Sequence, residues 1–419
     1  MKIADIFALQ IFDSRGNPTV EAHVKLEDGT VGRGLVPSGA SRGAYEALEL
    51  RDGNPKVLLG RSVLHAVRHV ETEIAAALKG HDASDQAGLD KILIELDGTP
   101  NKSRLGANAL LAVSLACVDA SARAARLPLY RYLGTGNLIP MPEIQIMGGG
   151  AHASFRCDVQ DFMIMPVSAK NAAEAMGIVF TVYHTAARLL REAGKLSGVA
   201  DEGGFWPDFP NHDEIFDFLH RAIRAAGYEP GRDVALSLDI AATELYEDGR
   251  YRFHLENRTF SRDEFATLID GWCRNWNVIS VEDPMADSDI EGWQLIASKI
   301  AGNIQLIGDD LFTTNPARIR DGIAQHLANA VLIKLNQIGT VTETLEAIRL
   351  TQEAGWKPVV SARSGETEDA FIAHLAVATN AGQLKVGSFS RSERMAKWNE
   401  LLRIEKELGP SARFNAGSF

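Results

Sequence analysis

The feature that most constrains the fold of this 419-residue chain is a rhythm that begins at Ala235. Short runs rich in β-branched residues end in polar residues, and helical segments lie between them. The runs are VALSLDIA, NVISVEDP, IQLIGDDL, AVLIKLNQ, KPVVSARS and QLKVGS. Apolar strands that alternate with amphipathic helices form a parallel sheet covered by helices. With six such runs, and earlier ones before Ala235, the pattern predicts a closed α/β barrel rather than an open sheet.

Two of the intervening segments carry clear helix signals. Ser261 and Glu264 have the spacing of a capping box at the start of one helix. Thr340 and Glu343 have the same spacing at the start of another, which Gly355 ends. These signals predict two of the helices that cover the barrel.

The N-terminal part of the chain is organised differently. Residues 1 to about 60 show partial alternation of apolar and polar residues, and the Asp28-Gly29 pair predicts a hairpin turn. Helical periodicity follows in residues 63–78, 85–96 and 107–125. A chain of this length exceeds one ordinary hydrophobic core. We therefore predict an α+β domain at residues 1–130 and the barrel domain at residues 131–419.

Charge and cysteine content limit the partners and the compartment. A formal net charge of −12 argues against a nucleic acid or an anionic membrane as partner, although a local cationic cluster still permits a small anionic substrate. Cys117, Cys157 and Cys273 lack a CxxC spacing and fit a reducing compartment. The N-terminus does not resemble a signal peptide, and the Ala-rich residues 105–125 predict a buried helix rather than a membrane span. We predict a soluble, cytoplasmic protein.

Charged residues stand at the carboxyl ends of the predicted strands. In chain order they are Asp239, Glu282, Asp309 with Asp310, Lys334, Arg363 with Ser364, and Lys385. A barrel brings these strand ends to one rim, where carboxylates from three strands repel one another unless a cation neutralises them. An oxygen-only ligand set favours Mg²⁺. The alternative is that each acid caps the helix that follows its strand.

Lys334 directly follows an apolar strand, which places its ammonium group close to the expected cation and Lys385. Neighbouring positive charge lowers the pKa of a lysine, and such a lysine can act as a general base. This predicts removal of a proton next to a carboxylate, with cations stabilising the resulting dianion. The alternative is a lysine that merely extends to the rim.

Two further segments could contribute residues to the same rim of the barrel. In SGVADEGGF, glycines follow Glu202 and would let it turn inward to protonate a departing hydroxyl, although a simple turn is the alternative. The Gly- and Ser-rich PSGASRGAY fits a mobile lid whose Ser41 joins a metal site and whose amides meet a phosphate. An ordinary surface loop explains that composition equally well.

Together these residues resemble the enolase family along nearly the whole chain. The matching stretches include DSRGNPTVE, SGAS, EALELRDG, DEGG, VEDP, GDDL, KLNQIGTVTET and SGETEDAFIA. The resemblance implies an enolase-type (β/α)8-like barrel that departs from regular order, with an N-terminal α+β capping domain. It also implies a homodimeric, Mg²⁺-dependent lyase that interconverts 2-phospho-D-glycerate and phosphoenolpyruvate.

The resemblance further implies a role for individual residues. The metal ligands are Asp239, Glu282 and Asp309, with Ser41 in the loop that helps to bind a second ion. The proton-transfer residues are Lys334 as base and Glu202 as acid, with Gln160 and Asp161 beside Glu202 and His152 in a loop over the site. The substrate contacts are Arg363 and Ser364 to the phosphate and Lys385 to the carboxylate.

The chain departs from the family pattern on one side of the site. The family has His where this chain has Ala362, Glu where it has Asp161, and Thr where it has Arg42, and this chain adds Arg156. These positions surround the leaving hydroxyl and the phosphate, whereas the metal acids and the base are kept.

Three hypotheses follow from these departures. The first is a divergent enolase. The second is a repurposed relative such as carboxyphosphonoenolpyruvate synthase of phosphonate antibiotic biosynthesis, in which the phosphorus group differs. The third is an inactive binding protein, which would have no reason to keep the metal ligands and the base.

Overall fold

The first elements of the chain form an antiparallel sheet. In this computed structural model, which describes residues 1–40 and 43–417, the sheet order is β1 (Ile3–Phe12), β2 (Pro18–Leu26), β3 (Val31–Leu35). Gly29 turns the chain between β2 and β3 with a φ of 87°. The predicted hairpin is therefore confirmed.

Helices pack against this sheet. They are α1 (Leu64–His69), continued by a π-helical turn (Val70–Ile74) and α2 (Ala75–Leu78), then α3 (Gln86–Asp97), α4 (Ala107–Ala124) and α5 (Leu129–Leu133). Among the described helices, α4 alone is long and apolar enough to cross a membrane, but 83% of it is buried inside the protein. The sequence prediction of a buried helix at this place is confirmed. The predicted division between residues 130 and 131 falls within α5 and stays a prediction.

The remaining chain alternates strands and helices. Its strands are β4 (Leu138–Ile139), β5 (Met141–Gly148), β6 (Asp161–Met165), β7 (Ala235–Asp239), β8 (Tyr246–Glu247), β9 (Arg250–Phe253), β10 (Arg258–Phe260), β11 (Val278–Glu282), β12 (Gln305–Gly308), β13 (Ala330–Ile333), β14 (Lys357–Ser361), β15 (Gln383–Ser388) and β16 (Arg413–Phe414). Its helices are α6 (Ala172–Glu192), α7 (His212–Ala225), α8 (Arg262–Asn275), α9 (Ile290–Ile300), α10 (Pro316–Gln325), α11 (Leu335–Ile338), α12 (Val341–Glu353), α13 (Phe371–Ala378) and α14 (Ser392–Leu408). Short 3₁₀ turns lie at Leu58–Gly60, Gly150–Ala153, Ala242–Leu245 and Gly409–Ser411.

Eight of the described strands close into a barrel in the order β11-β12-β13-β14-β15-β5-β6-β7. The strands of the predicted rhythm, β7 and β11 to β15, pair in parallel, which confirms the α/β barrel. Strand β6 runs antiparallel to both of its neighbours, β5 and β7. Because of this reversal, the amino end of β6 lies at the rim where the other strands have their carboxyl ends.

The predicted helix signals are present. Ser261 and Glu264 form a complete capping box at α8. The Thr340 side chain accepts the Glu343 N–H at the start of α12, and Gly355 follows the helix with a φ of 76°. These local signals identify helix ends because the atoms involved lie within a single turn.

The close approach of β3 to α4 requires residues without side chains. A Cβ atom at Gly34 would lie 2.2 Å from the carbonyl oxygen of Ala112, and one at Gly32 would lie 2.3 Å from that of Ala116. Both obstacles are backbone atoms of a buried helix, so neither can move without shifting α4. The N-terminal sheet is thus held against its main helix by glycine facing alanine.

Gly34→Ala is expected to lower the free energy of unfolding by about 1–3 kcal/mol, because overpacking a rigid contact forces backbone shifts. The matched control is Gly177→Ala in α6, where a Cβ meets nothing within 4 Å. That change is expected to raise stability by about 0.4–1 kcal/mol through lower entropy of the unfolded chain. Urea unfolding measures both variants, and equal midpoints would contradict this account of the packing.

Candidate active site

The register of neighbouring strands places acidic residues side by side at the rim. Asp161, the first residue of β6, lies opposite Asp239, the last residue of β7. Asp239 in turn lies opposite Glu282, the last residue of β11. Asp309 directly follows β12, and all four side chains are buried. The barrel itself therefore gathers the carboxylates that the sequence placed at separate strand ends.

These acids do not cap the helices that follow their strands. The caps of α8, α9 and α10 are supplied instead by Ser261, Asp289 and Asn315. The capping alternative left open by the sequence therefore does not describe the rim carboxylates.

Lys385 holds a central position among the rim carboxylates. Its Nζ donates to Asp239 Oδ2 at 2.7 Å and to Glu282 Oε2 at 2.8 Å, and lies 3.5 Å from Asp161 Oδ2. Burial opposes the charge on Lys385, but these carboxylates raise its pKa well above the usual value. The same ammonium, with His152, outweighs burial at Asp161 and lowers the pKa of that carboxyl.

Lys334 contacts the fourth acid. Its Nζ donates to Asp309 Oδ2 at 2.6 Å, and the other oxygen of Asp309 accepts from Gln337 Nε2 at 2.8 Å. Burial works to lower the pKa of Lys334, but the charge of Asp309 outweighs it and the net shift is upward. The expectation of a lowered pKa is therefore wrong for the arrangement formed by the chain's own groups. Distance to Asp309, rather than burial, decides the charge of this amine.

The residues predicted as metal ligands fit a divalent cation. Glu282 Oε1 is buried and finds no hydrogen-bond partner in residues 1–40 and 43–417. Burial and the charge of Asp239 raise the pKa of Glu282 well above its usual value, so this carboxylate is poorly neutralised by Lys385 alone. Asp239 accepts from Gln160 Nε2 at 3.0 Å. The donor set is all oxygen, buried and richer in carboxylates than in ammonium groups, which suits a hard cation.

A further buried acid, Asp283, supports Asp309. Its two carboxylate oxygens accept the backbone N–H groups of Asp309 and Asp310, each at 2.8 Å. Burial, together with the charge of Asp309, raises the pKa of Asp310 to about 8. The sequence analysis did not single out Asp283, although it lies in the VEDP stretch beside Glu282. Its role depends on β11 and β12 being neighbours, which no local pattern shows.

Glu202 lies on the opposite side of the mouth, on the loop between α6 and α7. Gly203, with a φ of 98°, supplies the bend that the sequence predicted after this residue. Gly387 allows the close approach of Glu202, since a Cβ there would lie 2.9 Å from Glu202 Oε2. Gln145 joins this loop to the barrel: its Oε1 accepts the Gly204 N–H at 2.8 Å and its Nε2 donates to Asp161. Sequence reasoning missed Gln145.

The residues predicted to bind the phosphate contact the N-terminal part of the chain as well as the barrel. Arg363 donates to Glu46 Oε2 at 2.9 Å and Oε1 at 3.2 Å, and to Asn336 Oδ1 at 2.8 Å. Ser364 Oγ accepts the Ala40 N–H at 2.7 Å, so the start of the predicted lid rests on this residue. Ser41 and Arg42 lie outside the described residues. Glu46, in the N-terminal part of the chain, was not identified from the sequence.

Nearly all the predicted site residues meet at one pocket, which contains about 430 Å³ of space outside protein atoms. Its lining includes His152, Gln160, Asp161, Glu202, Asp239, Asp309, Asp310, Lys334, Ala362, Arg363, Ser364 and Lys385. Glu282 lies against Lys385 and is not part of that lining. Arg156 is also not part of it, because its guanidinium stacks on Trp206 with 4.5 Å to the ring centroid. The expectation that Arg156 borders the leaving hydroxyl or the phosphate gains no support from this position.

A barrel rim that joins carboxylates from neighbouring strands to buried lysines is the place and the kind of residue set that enzymes of the α/β-barrel class use for catalysis. Comparison with known proteins identifies the family within that class. The models described as "Enolase, N-terminal domain" and "Enolase, C-terminal TIM barrel domain" match residues 3–133 and 136–419. Enolase 1 of Desulfitobacterium hafniense (strain Y51) is 53% identical over 418 residues, covering 99% of this chain and 95% of that protein. The chain belongs to the enolase family.

Proposed function

We propose that this chain is a phosphopyruvate hydratase, which dehydrates 2-phospho-D-glycerate to phosphoenolpyruvate with Mg²⁺. The observation that carries the proposal is buried Lys334 beside Asp309 at 2.6 Å, on a rim that also holds Asp239 and Glu282. The enolase superfamily is itself the established example of a lysine or histidine base that works with Mg²⁺. We further propose a cytoplasmic homodimer that works in glycolysis, as family membership suggests.

Asp239, Glu282 and Asp309 are the residues that would hold Mg²⁺. When bound, the cation supplies positive charge that stabilises the dianion formed from the substrate carboxylate. Lys385 stands among Asp161, Asp239 and Glu282, where its ammonium can also attract that carboxylate.

Two groups of residues move protons in this proposal. Lys334 removes the proton from the carbon next to the carboxylate, as a general base; a cation held by Asp309 would offset the carboxylate charge that otherwise raises the pKa of this amine. Glu202 gives a proton to the departing hydroxyl, with Asp161, Gln160 and His152 around it. Placing base and acid on opposite sides of the mouth lets one residue break the C–H bond while another assists loss of water.

Arg363 and Ser364 orient the phosphate. Glu46 and Asn336 hold the Arg363 guanidinium in position, which limits the entropy lost when a phosphate binds. Ser364 in turn contacts the backbone of Ala40, at the start of the predicted lid. This side of the site therefore couples phosphate binding to the N-terminal part of the chain.

The hypothesis of a repurposed relative rests on the residues that differ from the family pattern. Two of those residues, Asp161 and Ala362, line the pocket. The 53% identity to Enolase 1 over nearly the whole chain favours the first hypothesis. No comparison specifically supports carboxyphosphonoenolpyruvate synthesis or an inactive binding protein.

The direct test incubates the purified chain with 2-phospho-D-glycerate and Mg²⁺ and follows the ultraviolet absorbance of phosphoenolpyruvate. Measurable turnover is expected. Absence of product at high enzyme concentration would contradict the proposed reaction.

Glu202→Gln is expected to separate the two proton transfers. Dehydration should fall by about 10²–10⁴-fold, because an amide cannot give the proton that the leaving hydroxyl needs. Exchange of the α-proton with deuterated solvent, followed by NMR, should persist because Lys334 is unchanged. The control is Glu247→Gln at an exposed position, which should alter neither rate. Parallel loss of exchange and dehydration in Glu202→Gln would show that Glu202 does not act on the hydroxyl alone.

A further inference from the structure

An exposed tyrosine in the N-terminal part of the chain stacks on an arginine of the barrel domain. Tyr45 is 48% exposed, and the guanidinium carbon of Arg318 in α10 lies 3.6 Å from the centroid of its ring. Arg318 is itself held in place, because its Nε donates to the carbonyl of Leu311 at 2.7 Å. The stacked pair therefore joins the N-terminal part of the chain to the barrel at the protein surface.

Tyr45 lies in a turn that begins at Gly43 and ends at Glu46. The Glu46 N–H donates to the Gly43 carbonyl at 3.1 Å, and the Gly43 N–H donates to Glu46 Oε1 at 3.0 Å. Just after the turn, the Ala47 N–H donates to the carbonyl of Gln337 at 2.8 Å. The turn is thus tied to the barrel by this backbone hydrogen bond after Glu46 and by the Tyr45 side chain before it.

Glu46, the residue next to Tyr45, holds Arg363. The Glu46 and Arg363 side chains are only 7% and 5% exposed. Arg363 Nη1 donates to Glu46 Oε2 at 2.9 Å, and Nη2 donates to Glu46 Oε1 at 3.2 Å. A guanidinium held by two carboxylate oxygens keeps one orientation. A tilt of the turn would move Glu46, and the Arg363 guanidinium would lose that orientation.

We propose that Tyr45 and Arg318 are a pair of positioning residues for the phosphate side of the site. Their stacking fixes the turn that carries Glu46, and Glu46 orients Arg363. The inference rests on the proposed function, in which Arg363 binds the phosphate. Neither Tyr45 nor Arg318 is part of the pocket lining, so both act through Glu46. A cation–π contact at an exposed position shifts an equilibrium by about two- to fivefold, which alters substrate affinity without deciding the fold.

Amide hydrogen exchange of the full chain, measured by mass spectrometry without substrate, tests the pair. Peptides that cover residues 43–47 are expected to exchange about two- to fivefold faster in Tyr45→Ala and in Arg318→Met. The double variant should exchange no faster than either single variant, because the two changes remove the same contact. Tyr45→Phe keeps the ring and should exchange like the unmodified protein. The matched control is Arg320→Met, at an exposed position on the same helix, which should leave exchange unchanged.

Steady-state kinetics with 2-phospho-D-glycerate separates positioning from surface packing alone. Tyr45→Ala and Arg318→Met are expected to raise KM about two- to fivefold, with kcat changed by less than about twofold. The reason is that the phosphate contact is made equally in the ground state and in the transition state. Tyr45→Phe should restore the KM of the unmodified protein.

Two results would overturn the pair. One is exchange in the double variant that equals the product of the two single effects, since the side chains would then act independently. The other is an unchanged KM in spite of faster exchange. A chain that failed to dehydrate 2-phospho-D-glycerate would refute the proposed reaction but not the pair, because the affinity for inorganic phosphate, measured by calorimetry, should show the same two- to fivefold loss.

Discussion

Lys334→Met is expected to abolish exchange of the α-proton with solvent and to lower turnover by about 10⁴-fold, the upper end of what a general base contributes. Methionine keeps most of the length and apolar stem of lysine but cannot accept a proton. The measurement is proton exchange in deuterated water by NMR, together with phosphoenolpyruvate formation. Both readouts are expected to fall together, in contrast to Glu202→Gln.

The control for this variant is Lys299→Met at an exposed position in α9, which is expected to leave both rates unchanged. Among the residues that the structure describes, loss of the Lys334 ammonium also leaves Asp309 with only Gln337 as a side-chain donor. Breaking a buried ion pair costs about 3–5 kcal/mol, so urea unfolding must show that the variant is folded under assay conditions. Persistent exchange in a folded Lys334→Met protein would mean that another residue is the base.

Removing divalent cations with a chelator is expected to abolish turnover, with a loss of at least about 10³-fold, because the charge that stabilises the dianion is absent. Addition of Mg²⁺ should restore activity and raise the unfolding temperature. At a Mg²⁺ concentration about 100 times the dissociation constant, the added stability is about 2.7 kcal/mol. Calorimetry with and without Mg²⁺ measures this increment directly.

Glu282→Gln distinguishes specific binding from a general salt effect. The amide cannot act as an anionic ligand through the Oε1 of Glu282, which has no hydrogen-bond partner within the described part of the chain, so most of the Mg²⁺-dependent rise in unfolding temperature should disappear. Glu247→Gln, at the exposed position used above, should keep the full increment. Equal stabilisation of both variants by Mg²⁺ would mean that the cation does not bind at Asp239, Glu282 and Asp309.

Ala362 and Asp161 show what the family resemblance could predict about the site and what it could not. Their difference from the family pattern can be read from the sequence, and both residues do line the pocket. The contacts of Asp161, the shorter acid, could not be predicted from the sequence. Asp161 is held by Gln145 and lies near His152 and Lys385, and these partners come from three other segments of the chain.

The sequence by itself determined the structural elements that depend on interactions between residues close together along the chain. Strand–helix alternation, the capping box of Ser261 and the turn at Gly29 depend on residues a few positions apart. The position of Asp239 and Glu282 on the rim also follows locally, because a parallel barrel sends every strand end to the same edge.

Tertiary structure decided whatever depends on groups that are distant along the chain. The reversal of β6 brought Asp161 to the rim, and the neighbouring strands β11 and β12 set Asp283 beneath Asp309. The hydrogen bond from Arg363 to Glu46 joins residues 317 positions apart. Among the chain's own groups the pKa of Lys334 shifts upward rather than downward, because electrostatic energy depends on distance and only the folded chain places Asp309 at 2.6 Å from its ammonium.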